Sequence, residues 1–187
     1  MCGPCARVMG RHRSHGSWPT VTHLFDYRDE VRELIVRTKS RGGPAQFAGC
    51  VDLFLNDARA QGAGEWCDAV AAAPASFWTR SRGRPHLATE LVVALARRHR
   101  KALIHIVPPV FWRFRKRAMT AREDRGRDGR GGDAGVRYRI VARQDCQRIL
   151  LVDDVRTTGG TLAGVARQLG ARFPGSQVET LVLGGTR

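Results

Sequence analysis

Long apolar runs are missing from this chain: nowhere do the roughly 18 uninterrupted apolar residues that a membrane helix requires come together. Membrane insertion is therefore not expected. The opening residues, Met1, Cys2, Gly3, Pro4, Cys5, Ala6, Arg7 and Val8, hold no apolar stretch such as a secretory signal needs, and a cytoplasmic location is the expectation. Cysteine is scarce, and its odd count of five without a secretory signal argues against a disulfide framework. Cys50, Cys67 and Cys146 are expected instead as small buried or half-buried thiols. Internal repeats are also lacking, so a repeat architecture is not indicated. Lysine is nearly absent, with three residues among 32 basic ones, a bias that fits a GC-rich coding sequence. That bias explains Arg in place of Lys and leaves the net charge to be explained.

The formal charge is +15, from 32 basic against 17 acidic residues, and the isoelectric point lies near 11.2. Its distribution is uneven. Residues 111–143 hold ten Arg and one Lys against four acids, a block that repels itself unless an anion or solvent offsets it. An anionic partner is one implication. Hydrophobic content of 42% is near the globular norm, and 187 residues suffice for one α/β domain with a small appended hood, but not for two full domains.

Past an irregular stretch through Trp18 and Pro19, residues 27–38 place Val31, Leu34, Ile35 and Thr38 on one face with charges opposite, which predicts an amphipathic helix. Gly42, Gly43 and Pro44 break it, and Phe47, Cys50, Val51, Phe54 and Leu55 predict a second helix over about 45–60. An alanine-rich strand at 69–73 stops at Pro74, a basic loop follows, and Leu87, Leu91, Val92 and Leu95 predict a helix over 86–99. Further strands are predicted at 102–107, 138–141, 148–153 and 177–183, with a helix at 160–173. The Arg- and Gly-rich residues 121–135 have neither period nor apolar content and are expected as a long mobile loop. Strands alternating with helices predict an α/β fold with a parallel sheet that takes its ligands at the carboxyl ends of the strands.

The chemistry concentrates at 149–162, where Ile149, Leu150, Leu151 and Val152 lead to Asp153 and Asp154, and Val155 and Arg156 lead to Thr157, Thr158, Gly159, Gly160, Thr161 and Leu162. Two adjacent carboxylates at a strand end cannot both be buried cheaply, so they call for strong donors such as vicinal sugar hydroxyls or a metal shell, in a site facing solvent. Gly159 and Gly160 let backbone N–H groups approach an anion closely, the following helix start adds positive potential, and Thr157, Thr158 and Thr161 add hydroxyls. Either half alone is also the pattern of an acidic turn capping a helix.

Joined in this order over fourteen residues, the two halves closely resemble the motif with which type I phosphoribosyltransferases bind 5-phosphoribosyl-1-diphosphate (PRPP). The resemblance implies that family's parallel sheet flanked by helices, and PRPP or a related ribose 5-phosphate as ligand. It implies Asp153 and Asp154 as the catalytic pair on the ribose 2- and 3-hydroxyls, with Thr157, Thr158, Gly159, Gly160 and Thr161 on the 5-phosphate. Mg²⁺ would come with PRPP, held mainly by diphosphate and ribose oxygens.

Residues 25–35, followed by Lys39, Ser40, Arg41 and Gly42, are similar to the signature ahead of the core in ComF-type proteins, a family named for DNA uptake during competence. The block 74–91, with Arg80, Ser81, Arg82 and Gly83, resembles the next ComF block. The likeness implies residues 1–23 as an N-terminal remnant, 24–66 as a helical hood and 67–187 as the phosphoribosyltransferase-like core. It also implies Lys39 and Arg41 as diphosphate-binding residues, together with Arg80 and Arg82, which lie just past the first core strand and suit a diphosphate bidentately. Two further partners are implied, single-stranded DNA and a DNA-processing protein such as a helicase, and a dimer is compatible with the likeness.

Departures from the family qualify this. Of the two C-x2-C pairs of the usual N-terminal zinc ribbon only Cys2 and Cys5 remain, and His12 and His15, the candidate further ligands, are spaced one residue short of the usual finger. Zinc is therefore the lesser expectation. Ala71, Ala72, Ala73 and Pro74 stand where the family reads Val-Pro-Val-Pro, which puts the usual diphosphate loop in question. Thr157 occupies the place where enzymes acting on 6-oxopurines commonly carry an Asp base, and Lys116 is the single Lys between 112 and 143, where orotate enzymes depend on a Lys-bearing loop. Neither acceptor is expected. The implied functions are thus phosphoribosyl transfer to an open nitrogen acceptor, a non-catalytic accessory role on single-stranded DNA, or PRPP sensing.

Overall fold

Strand β5 (Arg148–Arg156) occupies the middle of the fold, between β2 (Ala69–Ala72) and β6 (Gln177–Gly185). The computed structural model describes residues 21–75, 85–109, 136–156 and 159–185. Around those three strands the chain adds β1 (Val21–Asp26), β3 (Ala102–Val107) and β4 (Arg139–Val141), giving one six-stranded sheet ordered β1-β6-β5-β2-β3-β4. Every neighbouring pair is parallel except β3 with β4. Helices α1 (Asp29–Arg41), α2 (Pro44–Leu55), α3 (Ala58–Trp66), α4 (Leu87–His99) and α5 (Gly160–Arg172) complete the α/β fold that the alternating pattern predicts. No helix among the described residues is long and apolar enough to cross a membrane.

Burial on both faces explains why β5 reads as a continuous apolar run. Ile149 and Leu151 pack with Leu162, Val165 and Leu169 of α5, whereas Leu150 and Val152 pack on the opposite side with Ile35, Phe54 and Leu91 of α1, α2 and α4. Leu150 and Leu151 are at most 1% exposed, and each contributes on the order of 1.5–3 kcal/mol by leaving water. Asp153 and Asp154, the next two residues of the strand, continue this alternation. Cys50, Cys67 and Cys146 are free, buried thiols, as their odd total without a secretory signal suggested.

Three features depart from the expectations set by the sequence. β1 has no counterpart among the predicted strands; it is an edge strand hydrogen-bonded to β6, so part of the stretch assigned to the N-terminal remnant and hood belongs to the sheet. The helix expected over 45–60 is two helices, since the Asp57 carboxylate accepts from the Arg59 N–H at 2.8 Å and caps a new start. β5 also runs three residues beyond Asp153, pairing through Arg156 with Gly185.

Candidate functional site

All parallel strands end on one edge, and β5 carries both acids of the motif to that edge. Strand alternation sends them to opposite faces. Asp154 follows Leu150 and Val152 under α1, α2 and α4, and it is only 3% exposed. Asp153 remains half-buried, and its Oδ1 accepts the Asp154 backbone N–H at 2.8 Å. The expectation of two solvent-facing acids is therefore corrected. Because the strand continues past the pair, Asp154 is held inside the sheet rather than on a loop.

A buried carboxylate needs a cation or strong donors. Lys39 supplies one: its Nζ donates to Asp154 Oδ1 at 2.9 Å, across 115 residues of sequence. The last turn of α1 presents it. Thr38, 1% exposed, lies with its Oγ1 at 3.4 Å from Cys50 Sγ of α2, and the Gly42 N–H caps the helix on the Thr38 carbonyl at 3.1 Å. A Cβ at Gly42 would overlap that carbonyl, which is why the helix ends in glycine. Asp154 Oδ2, by contrast, is buried with no hydrogen-bond partner among the described residues.

The charges act on one another. Burial, reinforced by the charge of Asp154, raises the Asp153 carboxyl to about 7, against a smaller opposing pull from the Asp154 N–H and Lys39. His86, just ahead of α4, is a member of this cluster that the sequence pattern marks only as a helix boundary. Burial holds its imidazole below the ordinary value, with Asp154 opposing and Lys39 assisting, and its Nδ1 lies 3.1 Å from Thr89 Oγ1. Burial also pushes the Cys50 thiol up, and Asp154 adds to that rise. His86 further lines a mainly apolar cavity of about 310 Å³ between the ends of β2 and β3.

Beyond β5, Gly159 adopts φ +75°, the left-handed region that glycine enters without strain, and its carbonyl accepts the Ala163 N–H at 2.9 Å to open α5. Arg156 Nε lies 3.3 Å from where a Gly159 Cβ would sit, so a guanidinium flanks the helix start. Gly160 and Thr161 form the first turn, which contains no acid to compete for an anion. A helix start, whose first N–H groups have no partner within the helix, with a neighbouring Arg and no acid can receive a phosphate.

Of the other candidates, Arg41 closes α1, while Thr157, Thr158, Arg80, Arg82, Cys2, Cys5, His12, His15 and residues 121–135 lie outside the described residues. Among the described residues no group of three or more His, Cys, Asp or Glu comes together as a metal site.

No family model matches the sequence, and no curated protein does either. Solved structures do. An orotate phosphoribosyltransferase from Aeropyrum pernix is similar at 20% identity and TM-score 0.48, over 83% of this chain and 64% of that one. A hypoxanthine phosphoribosyl transferase from Trypanosoma cruzi is similar at 18% identity and TM-score 0.35, over 84% of this chain and 67% of that one. The chain thus spans less than two thirds of the length of the first of these.

Proposed function

We propose that the chain binds PRPP or a related ribose 5-phosphate at the carboxyl end of β5 and transfers its phosphoribosyl group to a nitrogen acceptor. The observation that carries this reading is Asp154 Oδ2, a buried carboxylate oxygen with no partner among the described residues, close in sequence to a glycine-opened helix start. An acceptor in that state is costly until a donor reaches it, and sugar hydroxyls are donors. In this reading Asp154 and Asp153 take the ribose 2- and 3-hydroxyls, and Thr157, Thr158, Gly159, Gly160 and Thr161 take the 5-phosphate. Arg80 and Arg82 would meet the diphosphate.

Phosphoribosyl transfer breaks the bond from C1 to the diphosphate oxygen and forms one from C1 to the acceptor nitrogen, through an oxocarbenium-like state. The protein's part is to position the ribose and stabilise charge. The hard oxygen donors of Asp153 and Asp154 fit the hydration shell of a Mg²⁺–PRPP complex, and that ion would neutralise charge on the departing diphosphate. Asp153, poised near neutrality, can hold or release a proton at its carboxyl as a hydroxyl settles against it.

Thermal unfolding with and without PRPP and Mg²⁺ tests the ligand, because binding to the folded state alone raises the midpoint by mass action. An unchanged midpoint at saturating PRPP would remove the assignment. Diphosphate release with a panel of nitrogenous bases then separates transferase from binder. The charge block at 111–143 supports a second reading, a non-catalytic ComF-like accessory protein that binds single-stranded DNA or a DNA-processing partner such as a helicase.

A further inference from the structure

We infer that Lys39 is a positioning residue for the ribose end of the ligand, fixing Asp154 for the sugar hydroxyls, rather than a ligand of the diphosphate. This rests on the reading of the site as a ribose 5-phosphate site. Its Nζ is 2.9 Å from Asp154 Oδ1, and the two side chains are 47% and 4% exposed, so the pair joins a half-open cation to a closed-in acid. The α1 turn that carries it is set by buried Thr38 against Cys50 and by Gly42, and a mobile surface lysine would need neither.

The groups facing the pair show what Lys39 does. Asp153 precedes Asp154 on β5, His86 approaches ahead of α4 and Cys50 faces it from α2. Lys39 is the cation hydrogen-bonded to Asp154 among the described residues. Asp153 is the acid of the pair that is raised towards neutrality, and Lys39 opposes that rise; without the cation Asp154 would compete for the same proton, and a protonated carboxyl turns one of its acceptor oxygens into a donor. With Oδ1 held by Lys39, Oδ2 is the oxygen left to receive a donor.

The test compares binding of ribose 5-phosphate, 2-deoxyribose 5-phosphate and PRPP, by calorimetry, to the intact chain and to Lys39→Met. Ribose 5-phosphate has no diphosphate, so a residue acting only there would leave its affinity unchanged. Losing the charged donor that holds Asp154 ionised and in place is expected to weaken ribose 5-phosphate binding by about tenfold or more. The 2-deoxy sugar should weaken much less, so the preference for ribose shrinks.

An unchanged ribose preference in Lys39→Met, or a loss confined to PRPP, overturns the inference and leaves the PRPP site standing. If the unaltered chain binds all three poorly, the site reading fails and takes the inference with it. Lys39→Arg, which keeps a cation, and a double-mutant cycle with Asp154→Asn keep the question answerable should Lys39→Met misfold. Coupling is expected, with the double variant no weaker for ribose 5-phosphate than Asp154→Asn alone. Additive losses would contradict it.

Discussion

Asp153→Asn is expected to stabilise the fold progressively, relative to the unaltered chain, as pH rises from about 5 to about 8. The folded carboxyl titrates near 7, against an ordinary value of 3.8 for an unfolded chain, with burial as the main cause and Asp154 as the second. The sign follows from which state holds the proton more tightly. Between those two values the unfolded chain is already ionised while the folded one remains protonated, so stability falls as pH rises through the window and levels off above about 7. From about pH 5 upward roughly two pH units of the window remain, which sets a ceiling of about 3 kcal/mol at about 1.4 kcal/mol per unit. Asp153 is half-buried rather than closed off, so water screens it and roughly 1–2 kcal/mol is the expected size. Asn copies the neutral form and retains an oxygen for the Asp154 N–H, so that hydrogen bond survives the change. His86 acts with the opposite sign: its value lies below 6.5 in the folded state, so stability is lost as pH falls through that range. The raw curve of either protein therefore mixes both effects, and their difference isolates Asp153. Urea unfolding of the two proteins at several pH values measures it. A difference that stays flat with pH, or an Asn variant that becomes relatively less stable at alkaline pH, would refute the reasoning.

Gly159→Ala should destabilise by roughly 1–2 kcal/mol, because the strain of a left-handed residue outweighs the close contact with the movable Arg156 side chain; chemical denaturation gives the value, and a neutral result would mean that the helix start relaxes. Binding of an unstructured single-stranded oligonucleotide, where it occurs, should weaken steeply with salt and depend little on sequence, since residues 111–143 offer many guanidinium groups for phosphates. Fluorescence anisotropy across a salt series checks this. An affinity that barely changes between low and moderate salt would count against backbone-phosphate contacts.

What could be read from local pattern was local in origin. β3 begins and ends where its apolar run and Pro108 set it, and α5 starts at the glycines that open it. β1 escaped because Val21, Thr22, His23, Leu24, Phe25 and Asp26 alternate only loosely, and its pairing partner, β6, starts more than 150 residues later. The same distinction divides the site. Asp153, Asp154 and the Gly159 turn were legible because they stand in one continuous segment of sequence, whereas Lys39 and His86 join Asp154 only once α1 and α4 pack over the sheet face that Leu150 and Val152 cover. No periodicity links residues 39, 86 and 154. The signal available was chemical: two adjacent acids after an apolar strand, one of which must be buried by strand alternation, require a cation from whichever helix covers that face. Lysine, present only three times in the chain, stands at the end of the helix that does so. Rarity of that kind is informative in an Arg-biased sequence. The compact ammonium at Lys39 engages Asp154 Oδ1, and among the described residues Asp154 Oδ2 has no hydrogen-bond partner.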